Sequence, residues 1–500
     1  MTAKLDRLKE IIGQVSDIRS ATSLLSWDQQ TYMPAGGNEA RGHHLATLGK
    51  VGHELATSDE VGKLLSDLKR EYAGSDASSD EAAMVRVAAR DYDKDVRVPA
   101  DFIVEQAMVT SAAFEAWGAA RAKSDFSIFR PHLEKVVELV RKYTTFFPPA
   151  DHPYDILLDD YEPGMKTAEV QAIFDAVRPK QVELIKAIAA RPQINDKFLH
   201  KKFNEQKVWD FSAGVTRVFG YDWARGRMDR APHPFESSFS INDVRITNRF
   251  EPDRPLATLF SAMHESGHGM YEQGVNRAYE RTSLAHGTSL AVHESQSRMW
   301  ENVVGRSLPF WEFFYPKLKA VFPSQLDGVG LKNFYKAINK VEPSFIRVNA
   351  DEATYNLHIM LRLELEIGMI EGKFAVKDLP DLWNTRMREY LGVTPPNDAE
   401  GVLQDIHWSS GSIGYFSTYA LGNLISAQLW ERINKDIRNL DEQIRKGKFE
   451  ELLAWLRTNV HKHGRKYNPQ DLVQKVTGSR ISSEPYVRYL TGKYSEIYGI

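Results

Sequence analysis

Apolar residues recur at three- and four-residue spacing along almost the whole chain, and no other feature of the sequence constrains the fold as much. In a helix that spacing lines apolar side chains along one face. The pattern predicts helices over residues 103–122, 129–147, 167–190, 256–274, 289–304, 357–372, 421–446 and 449–461. Breaks between them are short and polar or proline-rich: AGSDASSD at 73–80, FPPADHP at 147–153, EPG at 162–164 and GVTPPNDAEG at 392–401. Such clusters punctuate helices. None is long or biased enough to act as a flexible linker, and no repeat of fixed period is evident. The expected fold is mainly α, a single large helical body over residues 1–500.

One stretch has a different period. Phe239, Ile241, Val244 and Ile246 fall in FSINDVRIT, with Asn242 and Asp243 as a turn or bulge between two short alternating runs. This predicts a small β-element just ahead of the helix over 256–274. An exposed edge there could pair with an extended peptide by strand addition.

Composition narrows the function classes. Apolar residues at 42% and charged residues at 26% are ordinary for a soluble chain with a real core. A formal net charge of -3 gives no footing for a nucleic-acid partner, since phosphate binders are usually basic. The absence of cysteine removes disulfides, thiolate metal sites and thiol nucleophiles together, so any zinc must be held by His and carboxylate. The N-terminal stretch reads as an amphipathic helix, with Leu5, Leu8, Ile11, Ile12 and Val15 on one side. Asp6 and Glu10 stand where a signal peptide needs an unbroken apolar run. No apolar run approaches the ~18–20 residues that cross a bilayer. The expectation is a cytoplasmic protein without a membrane partner.

His264, Glu265 and His268 form H-E-x-x-H. On a helix, positions i and i+4 share a face, so both imidazoles can reach one ion with Glu265 beside it. The flanks support a helix: Leu256, Leu259, Phe260, Met263, Gly267 and Met270 make an apolar stripe, Arg254-Pro255 a start and Gly274 a stop. The same three residues also fall at this spacing by chance on ordinary helices, so a third ligand must decide. A metzincin-type histidine is excluded, because Tyr271 and Gly274 occupy the places of its glycine and histidine. Glu272, one turn past His268, would crowd the ion from the wrong direction. Glu294, in SLAVHESQSRMWENVVG, lies on a separate segment that can fold back across the first helix. Its neighbour His293 points about 100° away around such a helix. Glu294 could equally be a solvated carboxylate paired with Arg298 at i+4. Three protein ligands would leave a place for water, whose proton Glu265 could take and pass to a leaving amine.

Several separated motifs resemble the thermostable-type metallocarboxypeptidases of the M32 family, over nearly the whole chain. They are HESGH at 264–268, HESQ at 293–296, DVRIT at 243–247, IRVNA at 346–350 and GVLQDIHW at 401–408. Weaker agreement lies in Trp27-Asp28-Gln29, Tyr161-Glu162-Pro163-Gly164 and the C-terminal TGKYSEIY. One departure is Ser417 in GYFSTYALG, where the family leads one to expect proline, and a looser loop is the expected consequence.

The resemblance implies a helical subunit with a deep active-site groove, the metal at its floor and N-terminal helices (about residues 1–150) covering it. It also implies a homodimer and the release of single residues from peptides with a free C-terminus, with broad specificity and poor cleavage near proline. By the same resemblance His264, His268 and Glu294 bind Zn2+, with Co2+ or Mn2+ as substitutes, and Glu265 is general base and acid. Arg347, and secondarily Arg245, would hold the substrate carboxylate. His407 and Tyr415 would stabilise the oxyanion, with Tyr419 a second choice and otherwise a substrate-binding residue. Each role has a plainer rival. Arg245 could sit in a surface ion pair and Arg347 could pair with Asp351. His407 could be a hydrogen-bonded core histidine, and Tyr415 and Tyr419 packing residues. Two other functions compete: an endo-acting zinc oligopeptidase, and a non-enzymatic helical scaffold.

Overall fold

A computed structural model describes residues 3–500. Among them are twenty α-helices and one three-stranded sheet, so the mainly α expectation holds. No helix of the described residues is long and apolar enough to cross a membrane. The chain forms two compact units, each assembled from three separate stretches. The first comprises Met1–Val96, Asp196–Ala337 and Leu429–Gly478; the second comprises Arg97–Asn195, Ile338–Gln428 and Ser479–Ile500.

In the first unit, the helix Ala3–Thr31 buries Leu5, Leu8, Ile11 and Val15, the stripe read from the sequence. Leu5, Leu8 and Ile11 pack with Val61, Leu65 and Leu68 of the helix Asp59–Glu71 and with Val85, Ala88 and Ala89 of Asp80–Arg97. A second cluster joins Ala83, Met84 and Val87 to Ile241, Val275, Tyr279 and Leu284, fixing the β-element beneath the N-terminal helices. Strands β1 (Met228–Arg230), β2 (Glu236–Ser240) and β3 (Asp243–Asn248) lie in the order β1-β3-β2. β3 is parallel to β1 and antiparallel to β2; the chain turns at Ile241 and Asn242, next to the expected place, and a register shift falls earlier, between Ser238 and Ser240.

The helix Ala257–Gln273 follows at once and packs on this sheet. The Asn248 side-chain amide donates to the Thr258 carbonyl (2.8 Å), and Thr258 Oγ1 donates back to the Arg249 carbonyl (3.0 Å). A Cβ on Gly269 would lie 2.8 Å from the Tyr221 ring, so a bare backbone is needed for the helix to sit this close.

In the second unit, the helix Tyr355–Glu371 is buried on almost every side, its polar members His358, Arg362 and Glu366 included. Helices Ala100–Lys123, Phe126–Thr144 and Thr167–Ala189 match their expected spans within three residues at each end. Two expectations need correction. Residues 421–446 are not one helix but two, Ser417–Asp436 and Leu440–Arg445, interrupted where Asn439 takes a left-handed φ of 57°. Residues 289–304 start as an α-helix, Leu290–Arg298, and then widen into a π-helix, Met299–Val304.

Candidate metal centre

Two helices of the first unit cross to build the centre. Gly267, the central glycine of HESGH, lies against the backbone of Leu290–Arg298: a Cβ there would be 2.6 Å from Ser297 Cα and 2.7 Å from the Gln296 carbonyl oxygen. Only glycine permits that approach. The second helix is started by Ser289, whose Oγ accepts from the Val292 amide (3.2 Å) as an N-cap. Glu294, one turn further on, thereby reaches the first helix. Its Oε2 lies 3.5 Å from His264 Nε2 and 3.5 Å from His268 Nε2, and the three ligand atoms are all within 4.8 Å of one another.

Those separations test whether the residues fit a metal. Ligands about 2.1 Å from an ion in a tetrahedral shell stand roughly 3.4 Å apart, and two imidazoles with one carboxylate are a zinc-type donor set. The residues fit such an ion. Glu294 is buried, not solvated, and the rival pairing proves compatible with a ligand role: Arg298 Nε donates to Oε1 (2.6 Å) while Oε2 faces the imidazoles. Burial alone would push the Glu294 carboxyl up, but Arg298 and the two histidines outweigh it and hold it far below the usual range.

The remaining ring nitrogens of the two histidines are also occupied. His264 Nδ1 lies 2.9 Å from Glu301 Oε2, and Arg298 Nη1 donates to the same oxygen (3.2 Å). Burial raises the Glu301 carboxyl, yet Arg298 and His264 bring it down to about 2. An ionised carboxylate can only accept, so His264 Nδ1 carries a proton toward Glu301, which leaves Nε2 as the nitrogen that would bind an ion. His268 Nδ1 lies 2.7 Å from His293 Nδ1, and His293 Nε2 lies 2.9 Å from Glu272 Oε1. Glu272 also accepts from the Gly287 amide (2.7 Å) and pairs with His286 Nδ1 (3.1 Å). Glu272 is thus no crowding ligand but the anchor of a carboxylate–imidazole–imidazole chain ending on His268. Burial, with His293 and His264 nearby, lowers His268 to about 3, so it is the neutral form that can bind a metal.

Glu265 is buried beside these ligands. Burial, reinforced by the carboxylates of Glu236, Glu294 and Glu301 and opposed by His264, pushes its carboxyl up to about 7. A base with its pKa near the working pH is poised both to take and to return a proton. Arg245, on β3, is gripped by its own neighbour: Nε and Nη2 donate to the two oxygens of Asp243 (2.8 Å each), and the guanidinium lies over Trp27, 4.6 Å from its ring centre. The expected ion pair is present there.

The other sequence-selected residues converge in the second unit. Arg347 does not pair with Asp351. Its Nε and Nη2 donate to Asp405 Oδ1 (3.1 and 2.9 Å), its Nη1 donates to the Tyr355 hydroxyl (2.9 Å), and its backbone amide donates to Gln404 Oε1 (2.8 Å). Arg362 holds the other oxygen of Asp405 (2.7 Å) and the same Gln404 oxygen (2.9 Å). Burial would raise Asp405; the two guanidiniums hold it well below the carboxylate range. Asp351 caps the Arg347 loop, accepting from the Glu342 and Ala353 amides.

Next to this pair, the His407 ring centre lies 5.3 Å from Tyr415 and 6.4 Å from Tyr419, and Arg347 lies over the Tyr419 ring at 5.0 Å. His407 Nδ1 is buried without a hydrogen-bond partner. Burial, opposed by Asp405 and reinforced by Arg347 and Arg362, lowers its pKa to about 4, so the imidazole is neutral at pH 7. Ser417 does not loosen the loop before it: the hydroxyl is buried and donates to the Gly414 carbonyl (3.2 Å).

Sequence reasoning missed Glu301, Arg362 and the supporting roles of Glu272, His293 and Arg298. A signal existed for Arg362: with Glu364 and Glu366 it is one of three charges inside the mainly apolar run NLHIMLRLELEIGMI. The C-terminal TGKYSEIY motif finds its use here as well. Lys493, Tyr489 and Tyr494 converge on the buried Glu352 carboxylate (2.6, 2.8 and 3.2 Å), just after the Arg347 loop.

Comparison with known proteins agrees with this site chemistry. A family profile described as Carboxypeptidase Taq (M32) metallopeptidase matches residues 7–494. The chain is similar to Carboxypeptidase 1 of Bacillus subtilis, 36% identical over 490 residues that cover 98% of this chain and 97% of that one. It is similar to Thermostable carboxypeptidase 1 of Thermus thermophilus, 38% identical over 507 residues and 99% of both chains. The crystal structure of an M32 carboxypeptidase from Deinococcus radiodurans superposes with a TM-score of 0.96, at 39% identity and over all of both chains. With a profile spanning nearly its full length and relatives matched from end to end, the chain belongs to the M32 metallopeptidase family and is a metallocarboxypeptidase.

Proposed function

We propose that the metal is zinc, held by His264, His268 and Glu294, and that the enzyme releases single residues from the free C-termini of peptides with broad specificity. The observation that carries this reading is the pair of 3.5 Å separations from Glu294 Oε2 to the two Nε2 atoms, with Glu265 on the same helix. Co2+ and Mn2+ suit the same imidazole–carboxylate set and are the expected substitutes. When bound, the ion supplies Lewis-acid polarisation of the scissile carbonyl and acidifies water toward neutrality.

The protein's own residues do the rest. Glu265 accepts the proton of the attacking water and delivers it to the leaving amine. His407, neutral at pH 7, and the Tyr415 hydroxyl donate to the acyl oxygen as it gains charge, with Tyr419 the alternative hydroxyl. Arg347 binds the substrate carboxylate: three of its five N–H groups are engaged by Asp405 and Tyr355, leaving one on each terminal nitrogen for a bidentate grip. Arg245, already held on two sides by Asp243, ranks second. The reading includes a homodimer, supported by the family likeness and checked by light scattering.

The test is digestion of a peptide set with free and amidated C-termini, followed by mass spectrometry. The reading expects ladders losing one residue at a time from free ends only, stalling next to proline. Internal cleavage, or equal cleavage of the amidated set, would contradict it.

A further inference from the structure

Glu366 is a carboxylate in the middle of the most buried helix of the second unit, Tyr355–Glu371, and is itself fully buried. Burial pushes its carboxyl up to about 7, against three hydrogen-bond donors that favour the ionised form. A charge in such a place weakens a fold unless its lone pairs are used, and here they are. Trp408 Nε1 donates to Oε1 (2.8 Å), while the Gly414 amide (3.0 Å) and the Tyr154 hydroxyl (2.6 Å) donate to Oε2.

The identities of two of these donors matter. Trp408 immediately follows His407, and Gly414 immediately precedes Tyr415. Between them the chain is SSGSI, with a left-handed φ at Gly411 (74°) and again at Gly414 (99°). A Cβ on Gly414 would lie 2.8 Å from the Leu157 carbonyl oxygen, so glycine alone brings this amide to the carboxylate. One turn earlier on the same helix, Arg362 holds Asp405 on the other side of His407. The helix therefore grips the chain on both sides of His407 and just before Tyr415. Glu366 thereby ties the two ends of a glycine- and serine-rich loop to one point, beyond the loop's own closure by the Ser412 amide on the His407 carbonyl (3.0 Å).

We infer that Glu366 is a positioning residue: by holding Trp408 and Gly414 on the two oxygens of one carboxylate, it sets the placement of His407 relative to Tyr415. This rests on the reading in which His407 and Tyr415 donate to the acyl oxygen. Glu366 itself acts only through them. A carboxylate that merely filled the core would affect stability and leave the catalytic step alone.

The test compares Glu366→Gln, Tyr415→Phe, the double variant and the wild type on a free-C-terminus peptide, with metal content and circular dichroism measured on each. The amide keeps the shape but turns an N–H toward one of the N–H donors. Misplacement of a reacting group by about an ångström costs on the order of 10²-fold. Glu366→Gln is therefore expected to lower kcat by roughly 10- to 100-fold, with metal content and spectrum unchanged and KM within about threefold. If Glu366 works through Tyr415, the losses do not multiply: the double variant stays within about twofold of the worse single variant. A kcat within about twofold of wild type, or losses that multiply in full, overturns the inference. Should Glu366→Gln not fold, Trp408→Phe removes one of the three donors, keeps an aromatic side chain there and is judged by the same two criteria. His407→Ala and Tyr415→Phe serve as separate controls. If neither lowers kcat, the oxyanion reading fails and the inference goes with it; if both do and the Glu366 variant does not, Glu366 fails alone.

Discussion

At the scale of single residues, each metal-facing imidazole is oriented by a partner on its other nitrogen, and those partners carry testable weight. Glu301→Ala takes the acceptor from His264 Nδ1, and loss of such a partner typically weakens metal binding by roughly 10- to 100-fold. A competition titration of the apoprotein with a zinc chromophore measures it. Glu265→Gln should bind metal as the wild type does and lose on the order of 10²–10⁴-fold in kcat, since it removes the base and no ligand. His407 gives a pH expectation. Its pKa is depressed to about 4, so the ring is neutral above that value and charged only below it. The fold loss in kcat caused by His407→Ala should therefore be the same at about pH 5.5 as at about pH 8. A loss that shrinks as pH falls toward 5.5 would mean that the ring titrates within that window.

Much of the centre was legible before the structure. HESGH specifies two ligands and a base by helical period alone. Glu294 could be nominated but not chosen from spacing, because a solvated carboxylate and a ligand share the same i,i+4 partner; family resemblance chose it. Glu301 and the Glu272–His293 chain were not legible, since their roles depend on how two helices cross. Sequence period carries no such information.

At the scale of elements, close approach decides whether the centre exists. Gly267→Ala would force a Cβ into the backbone at Gln296 and Ser297, which cannot swing away as a side chain would. Overpacking of this kind costs about 1–3 kcal/mol or more, and here it also separates the ligands. The expected outcome is a lower denaturant midpoint together with weaker metal binding. Glu352 is the corresponding support for the Arg347 loop. Glu352→Ala removes the carboxylate that faces the Lys493 ammonium, whose side chain is 8% exposed, and breaking a buried pair costs about 3–5 kcal/mol. Urea unfolding reads that loss, and a rise in KM for free-C-terminus peptides is expected with it.

Helices and the β-element followed from period-3.6 and period-2 patterns, but the patterns could not see two local events. Asn439 turns the chain because asparagine tolerates a left-handed φ, which apolar spacing does not report. The π-helix after Arg298 shifts the phase of the residues that follow, Glu301 among them, and π turns often sit at functional sites.

For the whole molecule, the sequence favoured one continuous body, and the structure assigns its parts to two compact units, each drawn from three stretches of chain. The metal ligands and Glu265 belong to the first unit, and Arg347, Asp405, Glu366 and His407 to the second. Membership in a carboxypeptidase family sets aside the endo-acting and scaffold alternatives that the motifs alone left standing. The central claim is that His264, His268 and Glu294 hold the ion on which Glu265 depends. Metal content by mass spectrometry, taken together with C-terminal trimming after chelation and zinc re-addition, tests it most directly. A stoichiometric ion is expected in the wild type and in Glu265→Gln, with trimming only in the wild type, and loss of both ion and trimming in Glu294→Ala. A Glu294→Ala protein that kept its ion and trimmed peptides at the wild-type rate would contradict it.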